Sequence, residues 1–186
     1  MNKNNNRLNF KLCILGDGGV GKTTLIHRYL SGRYLGNTKM TIGVDFHIYR
    51  RNHGDKSLSF QIWDLSGQKR FQRMQIFDKY VQGSHAVMLA VDLSRIDTFE
   101  NLPNWLDVAK NADNQSLLIL VGTKNDLERE IDRYFLEKWA YEQGFFHFIE
   151  TSSLTGDNVK ELFELISSEL IARYENSSAR EMIALT

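Results

Sequence analysis

One run of residues combines glycines, a lysine and a hydroxyl in a spacing suited to holding phosphate. Gly16-Asp17-Gly18-Gly19-Val20-Gly21-Lys22-Thr23 has the form G-x-x-x-x-G-K-[ST]. It lies between a strand-like apolar stretch and a helical pattern, the context in which such a loop works. Glycines adopt φ angles that side chains forbid, so successive backbone N–H groups can turn inward as an anion nest. A helix beginning at the end of the loop turns its positive dipole end to the same place. Lys22 offers a cation for terminal phosphates, and the Thr23 hydroxyl offers a ligand for magnesium. A chance Gly-rich turn is the competing explanation, and the strand–loop–helix context weighs against it. The run alone does not separate ATP from GTP, or a kinase from a hydrolase.

Four further segments supply what a phosphate loop lacks. After an apolar strand ending in Val121-Gly122 comes Thr123-Lys124-Asn125-Asp126. A carboxylate here can accept from N1–H and the 2-amino group of guanine, donors that adenine does not place there. Leaving a charged acceptor unpaired in a pocket is costly, so Asp126 is expected to select guanine, with the Lys124 stem along the base. Ordinary loop chemistry is the bland alternative for this tetrad. In Thr151-Ser152-Ser153-Leu154, small residues allow close backbone approach, and an N–H near Ser153 is expected to reach the base. Asp64 in Asp64-Leu65-Ser66-Gly67-Gln68 is positioned to reach magnesium, through water. The Gly67 N–H can approach a γ-phosphate, and Gln68 can orient a water for in-line attack. Thr41, ahead of Ile42-Gly43-Val44-Asp45-Phe46, can complete the magnesium shell only when the γ-phosphate is present. Both segments would then be held by one phosphate and released on hydrolysis.

The elements that must position these residues alternate. Strands are predicted at 8–15, 45–51, 57–63, 86–93, 117–121 and 145–149, and helices at 22–30, 70–82, 98–112, 131–143 and 158–174. The turn Asn52-His53-Gly54-Asp55 makes the second and third strands an antiparallel hairpin. Alternation of strand and helix implies a mainly parallel sheet with helices on both faces, whose ligands bind at the C-terminal strand ends. The motifs fall in those loops. A chain of 186 residues suits one domain. Lys plus Arg number 23 and Asp plus Glu 23, which argues against nucleic acid as a partner. The lone cysteine, Cys13, lies in an apolar run and reads as a buried small hydrophobe. No run reaches the ~20 apolar residues of a membrane span, so a cytoplasmic protein is expected. The five histidines show no metal-ligand spacing, and Trp105 and Trp139 are expected in the core.

At this point the sequence resembles the Ras superfamily of small GTPases from about Phe10 to Tyr174. It is most similar to Rab proteins, through Ile42-Gly43-Val44-Asp45-Phe46, Gln61-Ile62-Trp63-Asp64, Gly67-Gln68 and, partially, Tyr80-Val81-Gln82-Gly83-Ser84. The resemblance implies a three-layer P-loop GTPase domain: a mostly parallel six-stranded sheet with one antiparallel edge strand. It implies a slow GTP hydrolase acting as a switch, with Mg2+ as cofactor and GTP and GDP as substrate and product. Asp17 to Thr24 would wrap the phosphates, with Gly16 opening the loop. Tyr34 stands where an aromatic packs against guanine, and Gly18 where a partner's arginine must enter. Thr23, Thr41 and Asp64 would hold the metal, while Lys22, Thr41 and Gln68 would carry the chemistry. Effectors, exchange factors and activators would engage Thr41–Phe46, Trp63 and Gln68–Tyr80, and Phe46, Trp63 and Tyr80 match an effector-reading aromatic trio. For that trio, core packing is the competing explanation.

Departures from the family are specific. Thr123 replaces Asn, Leu65-Ser66 replaces Thr-Ala, Ser153-Leu154 replaces Ala-Lys, and two extra residues lie between Phe71 and Tyr80. The family ends in prenylated cysteines, and no cysteine follows Cys13 here, so no lipid anchor is expected in this chain. Either the protein uses none or its C-terminus is shortened. Expected organisation is a GTPase domain over residues 1–176, with a polar extension at 1–6 and a tail at 177–186. A monomer, reaching membranes peripherally through protein partners, would regulate traffic or signalling. A nucleotide-holding module without useful hydrolysis is the alternative, opposed by Gln68 and Gly18. An ATP-dependent kinase is opposed by Asp126 and the 64–68 segment.

Overall fold

The computed structural model describes residues 7–36, 40–68, 76–113 and 115–184, with side chains to residue 177. Six strands form one sheet: β1 (Arg7–Leu15), β2 (Val44–His53), β3 (Lys56–Leu65), β4 (Ala86–Asp92), β5 (Leu117–Thr123) and β6 (His147–Glu150). Their order is β2-β3-β1-β4-β5-β6. Only β2, paired with β3 from Val44↔Leu65 to His53↔Lys56, runs antiparallel. The helices are α1 (Lys22–Ser31), α2 (Phe77–Val81), α3 (Ile96–Glu100), α4 (Leu102–Ala109), α5 (Arg133–Glu142) and α6 (Val159–Ala184). The predicted fold class is the one observed.

Side-chain alternation along β1 divides the core into two layers. Leu8, Phe10, Leu12 and Ile14 join Leu25 and Ile26 of α1 and Leu162, Phe163 and Ile166 of α6. Cys13 and Leu15 face the other way, against Phe77, Trp105, Leu106 and Leu136. β4 lies between the layers and is buried at all seven positions, as parallel strands covered on both faces require. Cys13 is buried beside the Ser84 hydroxyl, at 3.1 Å, and burial pushes its thiol pKa up.

Three element predictions need correction. The helix expected at 98–112 is two, α3 and α4, meeting at Asn101. Pro103 sits in the first turn of α4 and has no N–H to continue α3. In the segment expected as a helix over 70–82, the described helix is Phe77–Val81, and residues 69–75 lie outside the described set. The last helix continues past Tyr174 to Ala184, so the boundary expected at 176/177 falls inside one element.

Candidate functional site

Strand register assembles the site. Ile14↔Asp64 sets the end of β3 beside the end of β1, and Asp92↔Thr123 aligns β4 with β5. The loops from four parallel strands therefore open on one edge, and all the motif residues lie there.

The phosphate loop enters α1 through Gly21, at φ 97°, and that helix has neither a side-chain cap nor an acidic residue in its first turn. Its first N–H groups are thus left for an external anion. At Gly16 a Cβ would stand 2.3 Å from the Ala90 carbonyl oxygen, so the start of the loop tolerates no side chain. Lys22 is buried and its Nζ donates to the Gly16 and Asp17 carbonyls at 2.7 and 2.8 Å. Burial lowers its pKa to about 8, opposed by the charges of Asp64 and Asp17. Gly18, Gly19, Gly21, Lys22, Thr23 and Thr24 line a cavity of about 210 Å³ that Met40, Thr41 and Gly67 close from the far side.

Three oxygens converge at its rim. Thr23 Oγ1 is 2.8 Å from Thr41 Oγ1 and donates to Asp64 Oδ2 at 2.5 Å. Asp64 is fully buried, and its other oxygen, Oδ1, has no hydrogen-bond partner. Burial pushes its carboxyl pKa up, opposed by the Thr23 hydroxyl and the Lys22 charge. An orphaned carboxylate oxygen beside two hydroxyls is an oxygen-only donor set, which suits a hard cation such as Mg2+. Among the described residues no cluster of three or more His, Cys, Asp or Glu could hold a metal. Phosphate oxygens and water would therefore complete any such shell.

The base end is separate. Asp126 lines a different cavity, with Asn125, Asp157 and Asn158. Ser152 Oγ hydrogen-bonds Asp126 Oδ1, and Asn125 Nδ2 donates to Asp157 Oδ2 at 2.6 Å. Ser152 is buried, with its N–H given to the Asp157 carbonyl at 3.0 Å. Ser153 is half-buried and Leu154 exposed. Lys124 adopts φ 60° and pairs at 2.6 Å with Asp92, a fully buried carboxylate. Thr123 Oγ1 donates to the Val20 and Val91 carbonyls at 2.6 and 3.0 Å, so its short side chain ties the phosphate loop to β4. Tyr34 is not brought together with Asp126; it lines a cavity with Thr23, His27 and Thr41.

Two contacts escape sequence reasoning. Asp17 Oδ1 accepts from Trp105 Nε1 at 2.7 Å and Asn101 Nδ2 at 2.5 Å. The phosphate loop is thereby gripped from behind by the α3–α4 junction. No local spacing signals a pair 88 residues apart. Ser66 also links Thr41 to Gln68, as described below. The aromatic trio is contiguous: Phe46 to Trp63 is 5.0 Å between centroids and Trp63 to Tyr80 is 5.7 Å, with Phe46 exposed.

A strand–loop–helix phosphate cradle with an oxygen-lined metal corner and a separate carboxylate pocket defines a P-loop nucleotide-hydrolase domain. The Ras family model matches residues 11–172, and the chain belongs to that family. It is similar to Ras-related protein Rab-19 of Xenopus laevis, 37% identical over 183 residues, 95% of this chain and 85% of that protein. Human Rab-19 is 35% identical over 167 residues, covering 88% and 76%. Ras-related protein RABA5e of Arabidopsis thaliana is 36% identical over 176 residues, covering 93% and 78%. The chain is thus a Rab-like small GTPase and a GTP hydrolase. It binds guanine nucleotide, as family members do, generally with Mg2+. No helix among the described residues is long and apolar enough to cross a membrane.

Proposed function

We propose that this protein is a guanine-nucleotide switch of membrane traffic, cycling between GTP and GDP with Mg2+ held by Thr23, Thr41 and, through water, Asp64. The convergence of the Thr23, Thr41 and Asp64 oxygens beside the phosphate cavity carries the reading. The metal, when bound, would neutralise charge developing on the β- and γ-phosphates. Gly16 to Thr24 wrap the phosphates, and Lys22 exchanges its two carbonyl partners for phosphate oxygens. Gly67 donates its N–H to the γ-phosphate, and Gln68 orients the attacking water. Asp126, aimed by Ser152, accepts from the guanine edge. Thr123 braces the phosphate loop, Lys124 flanks the base, and Ser153 and Leu154 border it.

Effectors, exchange factors and activators engage Thr41–Phe46, Trp63 and Gln68–Tyr80, and the row Phe46-Trp63-Tyr80 supports such a surface. The chain works as a monomer in the cytoplasm, meeting membranes through protein partners.

Single-turnover hydrolysis of γ-labelled GTP with Mg2+ tests this, comparing wild type with Gln68→Leu and adding ATP as competitor. Slow hydrolysis that falls in the variant and ignores excess ATP is the expected outcome. Binding without hydrolysis in either protein would favour the holding-module alternative. Competition by ATP at matched concentration would refute the role of Asp126.

A further inference from the structure

Ser66 follows β3 and is fully buried, yet its hydroxyl and its N–H are both in use. Its Oγ donates to the Thr41 carbonyl at 2.8 Å. Its own N–H donates to the Gly43 carbonyl at 2.8 Å. The Gln68 N–H donates back to Ser66 Oγ over a longer 3.4 Å. Gln68 Nε2 reaches the same Thr41 carbonyl at 3.3 Å. A carbonyl oxygen has two lone pairs, and Ser66 and Gln68 between them engage both. One hydroxyl acts as donor to the segment before β2 and acceptor from the segment after β3. An apolar residue of similar size could do neither and would keep only the backbone bond to Gly43. Every one of these bonds joins protein atoms to protein atoms.

We propose that Ser66 is a positioning residue that couples the two switching segments, holding Thr41–Gly43 and Gln68 as one hydrogen-bonded unit without help from the γ-phosphate. The proposal rests on the roles given above to Thr41 and Gln68. It implies that in the GDP state the first segment stays docked on the second more than γ-phosphate contacts alone would allow. It also implies that Ser66 influences hydrolysis only through the residues it holds.

Amide hydrogen exchange on the full chain with GDP and Mg2+ tests the coupling directly, comparing wild type with Ser66→Ala. The amide of residue 66 itself is the probe, because its bond to the Gly43 carbonyl is untouched by removing the hydroxyl. Exchange about three- to tenfold faster in the variant is expected, the scale of one lost neutral hydrogen bond. Unchanged exchange overturns the proposal. Single-turnover GTP hydrolysis in a Ser66→Ala, Gln68→Leu cycle then asks how the coupling acts. Slowing of about three- to tenfold in the wild-type background, and none in the Gln68→Leu background, supports action through Gln68. Equal slowing in both backgrounds overturns it. Full hydrolysis by Gln68→Leu alone would instead refute the catalytic reading of Gln68, and the exchange result would still decide the coupling.

Discussion

Gly67 sits where two backbones nearly touch. A Cβ there would lie 2.2 Å from the Asp17 carbonyl carbon and 2.3 Å from the Gly18 nitrogen, and neither can retreat as a flexible side chain would. Gly67→Ala is expected to lever Gln68 away from the phosphate loop. Misplacing a reacting group by about 1 Å costs on the order of a hundredfold in rate, so single-turnover hydrolysis should fall by about that factor while GDP affinity changes little. Asp126 makes a different kind of contribution. Its carboxylate would accept two hydrogen bonds from guanine, each about 1.5–3 kcal/mol where one partner is charged. Asp126→Ala should therefore weaken GTP binding by roughly 10²–10⁴-fold, read by displacement of a fluorescent guanine nucleotide. Ser152→Ala, which frees that carboxylate to rotate and removes the acceptor of the Thr155 N–H, should weaken it several-fold.

At the scale of elements, the edge strand β2 is anchored to α6. Arg51 donates from both terminal nitrogens to Glu164, at 2.7 and 2.9 Å, and Tyr29 stacks on Phe163 at 3.7 Å nearby. Hydrogen bonds from Arg51, chiefly, hold the Glu164 carboxyl below its ordinary value of 4.5. A depressed folded-state pKa means the unfolded chain binds the proton first. The pair's stabilisation is thus complete above about pH 4.5 and is lost as pH falls through the folded value. Glu164 is over a third exposed, so screening limits its worth to about 0.5–1 kcal/mol. Urea unfolding of Glu164→Ala should show that loss at pH 7 and a progressively smaller one as the pH is lowered below 4.5. Such pairings were invisible in the sequence, whereas most elements were plain in it. The strands carried continuous or alternating apolar runs, and the phosphate loop and the 64–68 segment are contiguous, so local order was enough. Asn101, Pro103 and the α3–α4 break hid inside one amphipathic pattern. The grips of Trp105 on Asp17 and of Ser66 on Thr41 join distant parts of the chain, and only the register of the sheet reveals them.

For the whole molecule, the two core layers share the central strands, so loosening one strand end loosens both. A ligand spanning the loops after β1, β3 and β5 should therefore raise the stability of the entire domain. With free nucleotide at a thousand times its dissociation constant, the gain is about 4 kcal/mol. Thermal unfolding with GDP and Mg2+ should shift up accordingly, with no comparable shift from ATP and a smaller one when Mg2+ is chelated.

The aromatic row on β2 and β3 has an optical consequence. Trp63 is half-buried, with Phe46 on one side and Tyr80 on the other and the Lys11 ammonium 5.1 Å from its ring centroid. Trp105 is wholly enclosed, and Trp139 packs among Phe99 and Phe145, away from the nucleotide edge. Any displacement of Phe46 or Tyr80 on exchange of GDP for GTP alters the polarity and quenching around the Trp63 indole, while Trp105 reports separately on the phosphate loop through its bond to Asp17. The protein thus carries a built-in fluorescence reporter, and Trp63→Phe should remove the part of the nucleotide-dependent emission change that comes from the aromatic row while leaving most of the total signal.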